Sequence, residues 1–189
     1  MSKNTACLAC LALIATVSCS DRAGKLPEYG SVPRFTMTDS QGRPFDSNQL
    51  AGKVWIVDFI YTTCPGPCPR MTSDMHKLQQ QQLKDESDVR LVSISVDPER
   101  DTPPVLNEFA HRFGGPTAQW VFLTGTPQTV HLLAHDTFKV GDVISDMDHS
   151  TKFMLVDKRG QLRGYYSSGD PEAASVLMQD IAALRRQSS

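Results

Sequence analysis

Short apolar runs alternate with helical stripes along this chain. "RFTMTDSQGRPFD" alternates apolar and polar positions around a "DSQG" turn, which predicts a short hairpin. "KVWIVDFIYT" (53–62) is apolar almost throughout and rich in β-branched and aromatic side chains, so it predicts a buried strand. Cys68, Met71, Met75 and Leu78 then recur at spacings of 3, 4 and 3, one face of a helix. "VRLVSISV" (89–96) predicts a second buried strand. In "DTPPVLNEFAHRFGG", Thr102 suits an N-cap, Pro103 the first helical position and Gly114 the stop. "QWVFLTG" reads as a strand and "TPQTVHLLAHDTF" as a helix capped by Thr126. "KFMLVDKRGQLRGYY" predicts a hairpin turning at 158–160. The last helix starts from Asp170 and Pro171 and ends in arginines, which suit its negative end.

Helices between buried strands predict a mainly parallel sheet covered on both faces, with the last hairpin as an antiparallel edge. The expected class is α/β: a thioredoxin-like fold with an N-terminal hairpin and an inserted strand and helix. In such sheets reactive groups collect beyond the carboxyl ends of the strands, and Cys64 lies just past one.

A length of 189 residues fits one domain. A formal net charge of −2 offers no basic field for nucleic acid. With five cysteines, a disulfide scaffold is excluded. Three of them (Cys7, Cys10, Cys19) fall in a segment, 1–19, with the character of an export signal: Lys3, an apolar run, then "SCS". "ATVSC" is similar to a bacterial lipobox, with Thr16 where an aliphatic residue is usual, and makes Cys19 the candidate for lipid attachment. The competing reading is an ordinary cleaved signal or an uncleaved anchor. All three export the body of the protein. Residues 20–33, polar with Gly and Pro, read as a tether, which leaves 34–189 as the domain.

Cys64 and Cys68 in "CPGPCP" are a disulfide clip, a redox pair or part of a metal site. Four apart on a helix they would share a face, with Cα atoms about 6 Å apart. A helix start favours thiolate. A clip closing so short a loop stabilises little. A redox pair normally has two intervening residues; three suit sulfurs converging on one ion. The further ligand is sought in "SDMDHSTKFMLVD", where His149 precedes a strand at the place a thioredoxin's cis proline would occupy. Two thiolates and an imidazole suit copper. Asp97, ending a strand, either orients His149 or makes the turn before Pro98. His131 and His135 are spaced to hold a metal as a pair, but with no third ligand evident they read as a solvated helix face. His76 and His111 read as helix surface, and Met71 and Met75 as core.

"CPGPCP", "SVDPERDTP" and "DHS" before a strand together resemble the Sco/SenC family of copper-binding, thioredoxin-like proteins, over roughly residues 28–186. The resemblance implies copper held by Cys64, Cys68 and His149. It implies a monomer tethered to the membrane of the bacterial envelope and facing outward. It also implies a role in assembling the copper A centre of cytochrome c oxidase, by delivering copper to the copper-receiving subunit of a haem-copper oxidase or by reducing its cysteines. Another periplasmic copper or thiol protein is the alternative partner. Pro65, Gly66 and Pro67 depart from the acidic and aliphatic residues that many members carry between the cysteines. The alternative function is a thiol–disulfide reductase or peroxide-reducing protein without a copper role. Tyr61 stands where a peroxiredoxin would carry threonine, which disfavours the peroxidase.

Overall fold

The computed structural model describes residues 26–140 and 151–187. Its centre is one mixed sheet in the order β1-β8-β7-β4-β5-β6-β2-β3. In chain order the strands are β1 (Gly30–Ser31), β2 (Thr36–Asp39), β3 (Pro44–Asp46), β4 (Val54–Ile60), β5 (Val89–Ser95), β6 (Trp120–Thr124), β7 (Lys152–Val156) and β8 (Gln161–Ser167). The helices are α1 (Pro67–Gln81), α2 (Pro103–His111), α3 (Pro127–His131) and α4 (Pro171–Arg185). A π-helical segment, Leu132–Thr137, continues α3.

All seven residues of β4 are buried, as its continuous apolar run requires of a central strand. Their side chains alternate between two cores. Val54, Ile56 and Ile60 face the core built with α1, α2 and α4. Trp55, Val57 and Phe59 face the core closed by α3, its π-helical continuation and the N-terminal hairpin.

The expected α/β thioredoxin-like class is observed, with one correction to the sheet. Among the described residues only β4–β5 and β5–β6 pair in parallel. On one side β7 pairs antiparallel with β4, and β8 with β7. On the other, β2 pairs antiparallel with β6, and β3 with β2. The parallel core is therefore three strands wide: the last hairpin forms the expected antiparallel edge on one side, and the N-terminal hairpin adds a second antiparallel flank on the other. The expected tether also gives way to structure by Leu26. Gly30 and Ser31 pair with Leu162 and Gln161. Arg163, 3% exposed and 2.7 Å from Asp157, donates to the carbonyls of Leu26 and Pro27. A buried guanidinium needs such acceptors, and the segment supplies them.

Asp170 caps α4 by accepting from the Glu172 N–H, and Thr126 caps α3 by accepting from the Thr129 N–H. Thr102 occupies the N-cap of α2 but makes no side-chain capping bond. Gly114, with φ of 78°, ends the turn after α2 and lies against His76, where a Cβ would collide with the ring.

Candidate metal and thiol centre

β4 carries the chain into the site. After Ile60 it turns, with the Cys64 N–H donating to the Tyr61 carbonyl at 3.3 Å, and enters α1 at Pro67. Cys64 therefore lies in the loop before the helix, and only Cys68 is helical. This corrects the picture of both cysteines on one helical face. They still meet, because the loop folds back over the helix start: the Cys68 N–H donates to Cys64 Sγ at 3.4 Å. Both are free thiols and 5% exposed.

The prolines explain why that N–H is available. A helix start carries N–H groups without intrahelical partners. Pro67 and Pro69 have none, so Cys68 supplies the only backbone N–H among residues 67–69. The local donor is thus aimed at one sulfur.

The two thiols are made unequal. Burial raises the pKa of Cys64, but hydrogen bonds from the Cys68 thiol, from the Cys68 and Gly66 N–H groups and from the Tyr61 hydroxyl outweigh it, and the net shift is downward. Cys68 is raised, first by burial and then by its bond to Cys64. The Tyr61 hydroxyl is pushed up to about 12 by its hydrogen bond to Cys64, then by burial. Cys64 is the more acidic thiol of the pair, and Cys68 the less acidic.

Two buried carboxylates, Asp101 and Asp58, belong to the segments around this loop. Asp101, fully buried, accepts from the Thr62 N–H at 3.0 Å, the Thr62 hydroxyl at 2.5 Å and the Ser95 hydroxyl at 2.5 Å. The Ser95 hydroxyl also receives the Asp97 N–H at 3.1 Å. This carboxylate ties the "SVDPERDTP" loop to the cysteine loop. Its signal in the sequence is an acidic residue within the same "SVDPERDTP" motif as Asp97. Asp58 alternates in register with Ile56 and Ile60, on the face carrying α1. It is fully buried, opposite Ser93 in the β4–β5 ladder, with no cationic partner to offset its charge among the causes of its shift. Burial raises its pKa to about 7, moderated by Ser93 across the ladder. A lone charge in an otherwise apolar strand was a readable signal.

Asp97 sits at the end of β5 and pairs with the exposed Arg100 at 2.9 Å. Its carbonyl accepts the N–H groups of Arg100 and Asp101, the turn expected before Pro98. Met71 and Met75 are core, at 2% and 0% exposed. His76 is half-buried and stacked on Trp120 rather than fully at the surface. His149 and Cys19 lie outside the described residues. Trp55, Ile56 and Val57 pair with Val156, Leu155 and Met154, so β7 enters the sheet at the end where β4 leaves it.

Such a sheet, with a dithiol at the start of the helix after its central strand, defines a thioredoxin-like dithiol protein. The family model described as SCO1/SenC matches residues 25–185, and the chain belongs to that family. It is similar to a SCO1/SenC family lipoprotein from Bacillus anthracis at 34% identity and a TM-score of 0.73, over 82% of this chain and 94% of that one. BsSco, described through a disulfide switch and as a member of the Sco family of cytochrome c oxidase assembly proteins, is 31% identical at a TM-score of 0.73. That match covers 86% of this chain and 97% of its own. Yeast Sco1 with copper bound is 26% identical at a TM-score of 0.63, over 81% and 92% of the two chains.

Proposed function

We propose that this chain carries copper as cargo on the Cys64 and Cys68 thiolates and the His149 imidazole. Its client is the copper-receiving subunit of a haem-copper oxidase. The observation that carries this reading is the meeting of two free thiols at a helix start, with Cys64 Sγ 3.4 Å from the Cys68 N–H. Two soft sulfur donors with an imidazole suit Cu(I) and also hold Cu(II). The likeness to copper-bound yeast Sco1 supports the metal, and the likeness to BsSco supports the oxidase client. The start of β7 at the cysteine end of β4 supports His149 as the third ligand, and Asp97 is the nearby candidate to orient it.

Loading must displace the thiol protons of the pair. Oxidation of the pair to a disulfide releases two protons and two electrons and removes both sulfur donors, so copper loading and redox state are linked. A second reading draws support from the unequal thiols: Cys64 attacks a partner disulfide and Cys68 resolves the mixed disulfide, reducing the cysteines that will receive copper. The chain works from the envelope membrane, anchored through Cys19. The "ATVSC" segment and the likeness to a protein described as a lipoprotein support this, and mass spectrometry showing a diacylglyceryl Cys19 is its test. No helix among the described residues is long and apolar enough to cross a membrane.

The deciding experiment is anaerobic copper titration of the reduced protein and of His149→Ala, with disulfide exchange followed in parallel. Cu(II) binding should weaken at least about a hundredfold in the variant. Exchange should stay within about tenfold. Full copper affinity with collapsed exchange would make the chain a dedicated thiol reductase.

A further inference from the structure

The other face of the sheet carries a cluster that the thiol centre does not use. His131 and His135 stack with ring centroids 4.8 Å apart and planes 11° from parallel. Asp136 joins them: its Oδ1 is 2.9 Å from His135 Nδ1 and 4.0 Å from His131 Nε2. One ligand atom from each of the three residues can be chosen so that all lie within 4.8 Å of one another. This is the third ligand that the linear pattern did not reveal.

From these residues we propose a second metal site, His131–His135–Asp136, that takes a divalent transition-metal ion, Cu(II) first. The argument is geometric. Nitrogen or oxygen ligands about 2.0–2.1 Å from one ion stand about 2.9 Å apart at a right angle and about 4.1 Å apart when opposite. The Asp136–His135 contact, a hydrogen bond in the metal-free chain, already has the right-angle span, and an ion would take the place of its proton. The remaining separations, no more than 4.8 Å for one ligand atom from each residue, close toward that span by rotation of exposed side chains. With these side chains 64%, 45% and 53% exposed, an ion can reach the cluster without opening the core.

The backbone holds the cluster in place. Residues five apart in an α-helix stand about 140° apart around its axis. The wider π turn, bonded from i to i+5, reduces that angle and brings Asp136 toward the side of His131. Phe138 donates its N–H to the Leu133 carbonyl, and Val140 to that of Ala134. Val130, Leu133, Ala134 and Phe138 pack into the core beneath. Turns of this kind recur at functional sites. The exposed Asp136 carboxylate supplies the anionic donor of the set. Two imidazoles and a carboxylate form a harder set than the thiol centre, and Cu(II) binds such nitrogen and oxygen donors most tightly among the divalent first-row ions. The site does not depend on the thiol reading.

The test uses the full chain carrying Cys64→Ser and Cys68→Ser, its remaining thiols alkylated, titrated with Cu(II) alone. Substoichiometric Cu(II) should broaden the amide resonances of residues 131–137, and its electron paramagnetic resonance should show imidazole nitrogen couplings. His131→Ala with His135→Ala should abolish the broadening there and weaken this binding about a hundredfold. Asp136→Asn should weaken it about tenfold. These exposed substitutions should leave the circular dichroism unchanged. Absence of broadening at 131–137, or broadening that persists unchanged in the folded double variant, would overturn the proposal.

Discussion

The Cys68 N–H points at the Cys64 sulfur from 3.4 Å. One thiol is therefore served by the helix start, while the other is raised by burial and by its bond to the first. In the reduced, metal-free protein, iodoacetamide should modify Cys64 first. The pH midpoint for Cys64 should lie below the ordinary thiol value and that for Cys68 above it. Peptide mapping across a pH series reads both. Equal midpoints would remove the assignment of Cys64 as nucleophile.

Asp101→Ala should loosen the site from a distance. It leaves the Thr62 N–H, the Thr62 hydroxyl and the Ser95 hydroxyl without their acceptor. Hydrogen bonds to a charged partner are the stronger kind, so the cost should be about 2–4 kcal/mol in urea unfolding. Cys64 alkylation should change in the same variant, because Thr62 lies two residues before it. A stable variant with unaltered thiol chemistry would show that the brace is dispensable.

Asp58 predicts a pH dependence of stability. Its folded pKa, about 7, lies above its ordinary 3.8. The unfolded chain thus releases this proton first. Stability from the protonated carboxyl is fully present below about pH 4 and is lost progressively as pH rises through about 7. That separation corresponds to at most on the order of 4 kcal/mol. Asp58→Asn should abolish this component, so urea unfolding at pH 5 and pH 8 should differ less in the variant than in the parent. An unchanged difference would place the titration elsewhere.

Asp157→Ala should be among the most damaging single changes away from the site. It leaves the Arg163 guanidinium buried without the carboxylate at 2.7 Å. Breaking a buried pair by removing one partner costs about 3–5 kcal/mol. Hydrogen exchange should quicken at Tyr29 and Val32, whose N–H groups bond β8 and the turn before it.

His149→Ala, together with the copper titration, decides between carrier and reductase. The cysteine variants cannot do so, because both readings need both sulfurs. Cys64→Ser and Cys68→Ser should each remove tight copper binding while circular dichroism stays that of the folded domain.

The chain alone determined whatever depends on residues close in sequence. Continuous apolar runs specified β4 and β5, since a strand buried on both faces has no polar side. Asp170–Pro171 and Thr126–Pro127 marked helix starts because capping is a contact across two or three residues. "CPGPCP" disclosed the dithiol by its spacing and its place after a buried strand. What the tertiary structure decided involves partners far apart. Asp101 meets Thr62 across 39 residues, and no local pattern announces such a bond. Side-chain alternation tells which face a residue occupies but not which strand lies beside it, so the docking of the N-terminal hairpin on β6 and the pairing of β1 were not legible, whereas the last hairpin was. The placement of Cys64 before the helix, rather than on it, depended on how a proline-rich loop closes. The approach of Asp136 to His131 depended on a π turn in a segment whose spacing reads as α-helix. Each is settled by the packed backbone, where the cost of an unpaired buried group or a misplaced turn selects one arrangement among several that the sequence pattern permits.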